Sequence, residues 1–232
     1  MKIKSAHINN KKVYAFQSKQ ELLNYIDNNN KILIALNAEK LNKKSPKLDA
    51  IIDDNIGYPD GIGAVFALKR KGLKSVKIAG AEFWLDIIET YQKSKSFYFI
   101  GSTQEVIDET VTKLKNELPN VNIVGYQNGY IKDSDKPKLL ERLKTLKPDV
   151  VFVAMGSPKQ EFLMLDLCKK YKALYMGLGG SFDVYTNKKK RAPKVFINLG
   201  LEWFYRLLQE PTRYKRQLTY ISFTLKVLTN RI

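Results

Sequence analysis

The 232-residue sequence has little of what builds cross-links and metal sites: one cysteine, Cys168, and one histidine, His7. A single cysteine excludes an internal disulfide and fits a reducing compartment. The leucines around Cys168 favour a packed thiol over a nucleophile. His7 stands in a polar stretch with no second metal ligand near it, which favours an ordinary surface histidine.

Long hydrophobic runs are also missing. The first residues lack the apolar segment of a signal peptide, so none is expected there. No stretch reaches about 18 consecutive apolar residues, so no helix is expected to span a bilayer. The hydrophobic fraction of 44% is still enough for one substantial core. Any membrane association is therefore expected to be peripheral.

Acidic residues are outnumbered, with 23 against 40 basic ones and a net charge of +17. Residues 186–232 alone hold eleven basic and two acidic side chains. Such an excess favours polyanionic partners, namely nucleic acid, anionic lipid or phosphorylated substrates. Charge alone leaves these three classes open.

Short β-branched or aromatic runs alternate with segments of helical spacing. The runs predict strands at residues 31–36, 50–52, 75–79, 96–100, 121–124, 149–155 and 173–176. The segments predict helices at residues 61–71, 83–92, 104–118, 136–146 and 159–171. This alternation predicts an α/β fold with a mostly parallel sheet. Ligands of such sheets bind beyond the carboxyl ends of the strands, which points to the loops that begin at residues 101, 156 and 177.

After about residue 195 the alternation stops, and two amphipathic helices are expected. The first apolar face consists of Leu199, Trp203, Phe204, Leu207 and Leu208, and the second of Leu218, Ile221, Leu225, Leu228 and Ile232. The second helix also carries Lys215, Arg216, Lys226 and Arg231. A basic amphipathic helix is typical of a membrane-surface or partner-docking element. An ordinary closing helix packed on the core fits the pattern equally well.

The first loop with candidate chemistry is Gly156-Ser157-Pro158-Lys159-Gln160-Glu161. Its glycine permits close approach of a ligand to the backbone, and the helix N-terminus that follows favours a phosphate. Lys159 and Gln160 add hydrogen-bond donors. A well-capped strand-to-helix turn explains the same residues without a ligand.

The second loop is Gly177-Leu178-Gly179-Gly180-Ser181-Phe182-Asp183, followed by Arg191. Asp183 is suited to accept hydrogen bonds from ribose or sugar hydroxyls, and Arg191 is suited to bind phosphate. The lysines at 188–190 are interpreted as a solvated face. This loop has neither the residue order of a Walker A loop nor that of the dinucleotide fingerprint.

A third motif, Tyr58-Pro59-Asp60-Gly61, ends a loop and opens a helix. Aspartate is a favoured helix N-cap residue, and residue preference alone supports that interpretation. The functional alternative is a general base that takes a proton from an acceptor hydroxyl.

Together these motifs resemble the WecG/TagA/CpsF family of bacterial glycosyltransferases. The resemblance extends from about residue 37 to residue 216 and rests on several segments in the same order. They are Asn37-Ala38-Glu39, Pro59-Asp60-Gly61-Ile62-Gly63, Gly125-Tyr126 with Asn128-Gly129-Tyr130, Gly156-Ser157-Pro158-Lys159-Gln160-Glu161, Gly179-Gly180-Ser181-Phe182-Asp183, Arg191-Ala192-Pro193, and Gly200-Leu201-Glu202-Trp203 with Tyr205-Arg206-Leu207 and Glu210-Pro211.

The resemblance implies a Rossmann-like catalytic domain at residues 1–195 and a membrane-associating helical appendage at 196–232. It implies inverting transfer without a metal or cofactor. The donor would be a UDP-sugar of the N-acetylmannosamine type or a related one, and the acceptor would be N-acetylglucosamine-diphospho-undecaprenol. The product would enter a cell-surface polysaccharide or a teichoic-acid-type polymer. The expected location is peripheral, on the cytoplasmic face of the bacterial inner membrane and against its anionic surface.

Site residues follow from the same resemblance. Asp60 is the expected catalytic base. The nucleotide-sugar is expected to contact Asn37, Gly156, Ser157, Lys159, Gln160, Glu161, Gly179, Gly180, Asp183 and Arg191. The acceptor diphosphate is expected to contact Arg206, Arg213 and Arg216.

Two departures from the family pattern suggest a different donor sugar. The chain has Ala35-Leu36 where the family usually has Thr-Pro, and Lys77 opens a stretch where the family has arginine.

A nucleic-acid-binding protein fits the charge, but no RRM, KH or zinc-finger pattern is present. A nucleotide-dependent oxidoreductase is disfavoured by the absent dinucleotide fingerprint. A non-catalytic polysaccharide-assembly protein stays open, as does a homo-oligomer.

Overall fold

The computed structural model describes residues 3–189, 192–193, 195–196, 202–209 and 214–232. Its strands are β1 (Ser5–Ile8), β2 (Lys11–Tyr14), β3 (Ile32–Leu36), β4 (Ile56–Pro59), β5 (Ser96–Gly101), β6 (Asn122–Gln127), β7 (Val150–Ala154) and β8 (Leu174–Gly177). Its helices are α1 (Lys19–Ile26), α2 (Ala38–Asn42), α3 (Pro46–Asp54), α4 (Ile62–Arg70), α5 (Gly80–Tyr91), α6 (Gln104–Glu117), α7 (Lys136–Leu146), α8 (Lys159–Cys168), α9 (Ser181–Tyr185), α10 (Glu202–Gln209) and α11 (Tyr214–Leu228).

Six of the strands form one parallel sheet in the order β4-β3-β8-β7-β5-β6. Strand β5 pairs with both β6 and β7, and Phe99 lies opposite Phe152 in the second pairing. Strand β7 is buried along its whole length. A parallel strand covered on both faces needs a continuous apolar sequence, which Val150–Ala154 supplies. The predicted α/β fold with a Rossmann-like sheet is confirmed.

The chain divides into two compact units. The first comprises Met1–Glu21, Ala35–Ala79 and Lys190–Ile232, and the second comprises Leu22–Ile34 and Gly80–Lys189. The division of function between residues 1–195 and 196–232 remains a prediction.

An aromatic cluster forms the core of the second unit. The ring centroid of Trp84 lies 5.9 Å from that of Phe152 and 5.7 Å from that of Phe182. Phe182 is fully buried and belongs to α9, the short helix that follows the second glycine loop. Edge-to-face aromatic pairs of this kind stabilise beyond their area burial. The cluster therefore anchors α9, and with it the end of the glycine loop.

A buried lysine holds the first unit together near its N-terminal hairpin. The Lys11 side chain is almost completely buried, and its Nζ donates to the carbonyl oxygen of Lys43 at 2.8 Å. The same Nζ lies 3.0 Å from Oδ1 of Asp49 in α3. A buried charge is tolerated when it is paired and hydrogen-bonded. Lys11 thereby fixes the connection between α2 and α3.

Helix α11 presents two apolar faces. On one, Phe223 and Val227 are buried as the helix packs against α2 and α4. On the other, the side chains of the predicted stripe, Leu218, Ile221, Leu225 and Leu228, are exposed. The helix therefore closes the first unit with residues that the stripe does not include. No described helix combines the length and the apolar composition that a bilayer span requires.

Two predicted strands are wrong. Residues 50–52 belong to α3, where Leu48, Ile51 and Ile52 are buried at helical spacing. Residues 75–79 form no strand, although Val76 N donates to Phe16 O and Ile78 N donates to Pro59 O. Strand β4 lies where a loop was expected, since its short segment shows no clear period.

The β1-β2 hairpin was also not predicted. Its turn contains two asparagines with positive φ, Asn9 at 47° and Asn10 at 62°. Asparagine tolerates this left-handed conformation, which two-residue hairpin turns require. The Asn-Asn pair was the local signal for the hairpin.

Candidate active site

The catalytic candidate lies in the first unit, at the carboxyl ends of β3 and β4. Asp60 directly follows β4, is half-buried, and donates its backbone N–H to Leu36 O at 3.0 Å. The N-cap of α4 is Gly61, with a φ of 121° that suits glycine. The interpretation of Asp60 as the helix cap is therefore wrong, because Asp60 lies one position before it.

Asn37 lies beside this turn. A Cβ at Gly61 would come within 4.0 Å of the Cβ of Asn37, so the two predicted residues Asn37 and Asp60 are brought close together. The Asn37 side chain caps α2, because its Oδ1 accepts from Lys40 N at 2.9 Å. This hydrogen bond uses one of the two lone pairs of Oδ1 and fixes the orientation of the side chain, while the nucleotide-sugar contact of Asn37 remains a prediction.

Tyr58 is a fully buried neighbour of Asp60 that was not among the predicted site residues. It belongs to β4 and lies two residues before Asp60, which follows the end of that strand. Burial, and then the negative charge of Asp60, raise the pKa of Tyr58 well above its usual value. A neutral phenol therefore adjoins the carboxylate throughout the physiological pH range.

Two open glycine turns lie in the second unit, at the carboxyl ends of β7 and β8. Gly156 has a φ of 76° and Gly179 a φ of 61°, both in the left-handed region. At each of them, no atom of the described residues lies within 4 Å of where a Cβ would project. Both turns therefore present bare backbone that a ligand can approach closely.

Gln160 and Glu161 lie beneath these turns. Both side chains are buried, and Gln160 Oε1 accepts from Gly179 N at 2.8 Å. Gln160 Nε2 donates to Glu161 Oε1 at 3.3 Å. Helix α8, which follows the first glycine loop, thus supports the second glycine loop through the Gln160 side chain. The predicted nucleotide contact of these two side chains remains a prediction, and in the structure they position Gly179.

Helix α8 starts at the first residue of the helix predicted at 159–171. The helix begins at Lys159, so Pro158 precedes its first residue, and the Ser157-Pro158 peptide is cis. Ser157 and Lys159 are exposed, while Gln160 N already donates to Gly156 O at 3.0 Å. The side chains of this turn that are open to solvent are those of Ser157 and Lys159.

The Asp183 carboxylate lies over the second turn. Its Oδ2 would be 4.0 Å from a Cβ at Gly180, and it accepts from the Ser102 hydroxyl at 3.2 Å. The predicted residues Gly179, Gly180 and Asp183 therefore form one local group. Lys188, assigned to a solvated face, pairs at the surface with Glu105 at 2.6 Å.

Tyr130 is another residue that the site predictions omitted. It follows β6, is 75% exposed, and its backbone N–H donates to Asn128 Oδ1 at 3.0 Å. Gly129 N donates to Ser102 O at 2.9 Å, which ties this loop to the one after β5. In the sequence, the segment Asn128-Gly129-Tyr130 was the indication of a turn that carries an exposed aromatic side chain.

The arginine predictions fall outside what is described. Arg191 and Arg213 are not among the described residues. Arg206 and Arg216 belong to α10 and α11, but their side chains lie outside the described part of the chain. Their phosphate-binding roles remain predictions.

A comparison with known protein families matches residues 7–232 to the glycosyl transferase WecG/TagA/CpsF family. The chain belongs to this family. It is therefore a glycosyltransferase, and membership implies a role in cell-surface polysaccharide synthesis with a sugar donor and a lipid-linked acceptor. The resemblance noted from the sequence motifs is confirmed. Within the described ranges, no group of three acidic, histidine or cysteine side chains is arranged to hold a metal ion.

Proposed function

We propose that this chain is an inverting, metal-independent hexosyltransferase that uses a UDP-sugar donor. The sugar passes to N-acetylglucosamine on undecaprenyl diphosphate. The observation that carries the proposal is the group formed by two open glycine turns and the Asp183 carboxylate in the second unit. Bare backbone next to a hydroxyl-accepting carboxylate suits a nucleoside diphosphate.

In the donor site, Asp183 accepts from the ribose hydroxyls and the turns at Gly156 and Gly179 receive the diphosphate. Lys159 and Arg191 supply positive charge, and the guanidinium offers the better geometry for phosphate oxygens. Tyr130 offers an exposed aromatic ring on which a base can stack. These assignments rest on exposed groups of the second unit and on Arg191, whose phosphate contact is a prediction from the sequence.

Asp60 acts as the general base. It takes the proton of an acceptor hydroxyl while the hydroxyl oxygen attacks the anomeric carbon from the face opposite the diphosphate. The bond from the anomeric carbon to the diphosphate oxygen breaks, and uridine diphosphate leaves with the electron pair. The configuration at the anomeric carbon is inverted. Backbone N–H groups and cationic side chains stabilise the charge of the leaving group.

The acceptor and the membrane are assigned to the C-terminal segment. Arg206, Arg213 and Arg216 hold the acceptor diphosphate. The exposed stripe of α11, with Ile221 and Leu225 near its middle, enters the interface of an anionic bilayer. Basic residues near the surface add about 1 kcal/mol each to such binding. The enzyme would work as a peripheral protein on the cytoplasmic face of the bacterial inner membrane.

The donor sugar is an N-acetylmannosamine-type or related hexosamine. The replacement of threonine by Ala35 and of arginine by Lys77 favours a variant of the usual donor.

The experiment that tests this function is a screen of nucleotide sugars with a lipid-diphosphate N-acetylglucosamine acceptor, in which the product mass is measured. Uridine diphosphate should also raise the melting temperature, because a ligand that binds the native state stabilises it. Stabilisation by an oligonucleotide and not by uridine diphosphate would favour nucleic-acid binding instead.

A further inference from the structure

Ser102 links the loops at the ligand-facing edge of the second unit. Its backbone N–H donates to Ala154 O at 3.1 Å, at the end of β7. Its carbonyl oxygen accepts from Gly129 N at 2.9 Å, in the loop after β6. Its hydroxyl donates to Asp183 Oδ2 at 3.2 Å, in α9. One residue thus contacts the loop after β6, the end of β7 and the helix that follows β8.

The backbone of Ser102 has an unusual conformation for this residue type. Its φ is 54°, in the left-handed region that glycine adopts far more readily than serine. The preceding Gly101 packs so tightly against Ala154 that any side chain there would overlap its carbonyl. Glycine would satisfy the backbone at 102 as well, so the contribution specific to serine is the hydroxyl on Asp183.

The position of α9 does not depend on that hydroxyl. Phe182 is buried against Trp84, and Lys113 Nζ donates to Tyr185 O at 2.8 Å. These contacts hold the backbone on both sides of Asp183. Loss of the Ser102 hydroxyl would therefore release the carboxylate, not the helix.

We propose that Ser102 is a positioning residue that orients the Asp183 carboxylate for the donor nucleotide. The proposal rests on the proposed function, in which Asp183 accepts from the ribose. A carboxylate can accept about four hydrogen bonds, so the one from Ser102 holds its rotamer and leaves capacity for two ligand hydroxyls. Fixing the rotamer in advance removes an ordering cost from nucleotide binding.

The test measures the Kd of uridine diphosphate by titration calorimetry for the wild type, Ser102→Ala and Ser102→Gly. We expect both variants to bind roughly tenfold more weakly, a loss equivalent to about 1.4 kcal/mol. The KM for the donor should rise by a similar factor while kcat changes by less than about twofold. Ser102→Gly should melt no lower than the wild type, because glycine relieves the left-handed backbone.

Lys147→Gly is the matched control. Lys147 also has a left-handed φ, at 48°, but it caps the C-terminus of α7. This variant should likewise melt no lower than the wild type, and it should leave the Kd of uridine diphosphate unchanged. Ser102→Ala should also add little to the loss caused by Asp183→Asn, because the hydroxyl acts through that carboxylate.

Wild-type protein that does not bind uridine diphosphate would overturn the proposed function and this inference together. Normal Kd values in Ser102→Ala and Ser102→Gly, with a wild type that binds, would overturn the inference alone. Fully additive losses in the double variant would also overturn it, because the hydroxyl would then act independently of Asp183.

Discussion

Replacing Asp60 by asparagine should remove the proposed general base while leaving the fold largely intact. The two side chains have nearly the same size, and the hydrogen bond from residue 60 to Leu36 O comes from the backbone. Gly61, and not Asp60, is the N-cap of α4, so the substitution removes no capping side chain. Burial is the larger cause of the raised pKa of Tyr58, so this phenol stays neutral without the Asp60 charge. Because Asp60 is half-buried, we expect a loss of no more than about 1 kcal/mol in the free energy of unfolding.

The catalytic effect should be much larger. An amide cannot accept the proton of the acceptor hydroxyl, and general bases typically contribute at least about 100-fold in rate. A 100-fold loss corresponds to about 2.7 kcal/mol of transition-state stabilisation. Because Asp60 is assigned to the acceptor hydroxyl, the Kd of uridine diphosphate should stay within about twofold of the wild-type value.

The assay follows uridine diphosphate release and product mass under saturating donor, using the donor that the nucleotide-sugar screen identifies. Asp53→Asn is the matched control: Asp53 lies in the same unit, accepts from Lys12 N at 2.9 Å, and has no assigned role in the reaction. This control should retain its turnover. Wild-type turnover in Asp60→Asn would refute the assignment of the base. A parallel loss of turnover and thermal stability would instead mean that Asp60 supports the fold.

Three further predictions concern other parts of the chain. Gln160→Ala removes the acceptor for Gly179 N, so we expect it to destabilise the protein by about 1–3 kcal/mol in denaturation experiments. It should also weaken uridine diphosphate binding measured by calorimetry. Unchanged stability and unchanged binding would contradict a supporting role for Gln160. Leu225→Glu on the exposed stripe should reduce sedimentation with anionic vesicles at an unchanged melting temperature, whereas Phe223→Ala on the buried face should cost about 3–5 kcal/mol of stability. Burial raises the pKa of Cys168, so its alkylation at neutral pH should be slower than that of glutathione and should accelerate as the pH rises; a fast reaction at neutral pH would contradict this.

Sequence patterns predicted most of the second unit correctly. Strands β5 and β7 have apolar runs long enough to indicate burial on both faces, and α6 has three- and four-residue spacing over fourteen residues. The first unit was harder, because β4 and the hairpin strands have only four residues each. Such short segments carry too few side chains to distinguish a helical from an alternating period.

The candidate site shows the same division at the level of single residues. The glycine loops and the other motif segments are visible in the sequence, and together, in their order along the chain, they were enough to predict the family. The burial of Gln160 and Glu161 was not visible, because a polar residue at a helix start looks the same whether it faces a ligand or a neighbouring loop. The contact between Ser102 and Asp183 joins residues 81 positions apart, which no local pattern reveals.

The amino-acid sequence by itself determined the α/β class, the family and the chemical types available at the strand ends, since these depend on periodicity and on residue identity. The tertiary structure decided which of those groups are used internally and which face outward. It made Gly61 the helix cap in place of Asp60, placed the Gln160 amide under Gly179, and turned Phe223 inward and Leu225 outward on one helix. The physical reason is that hydrogen-bond partners and burial are set by contacts between segments distant in the chain, which local preference does not encode.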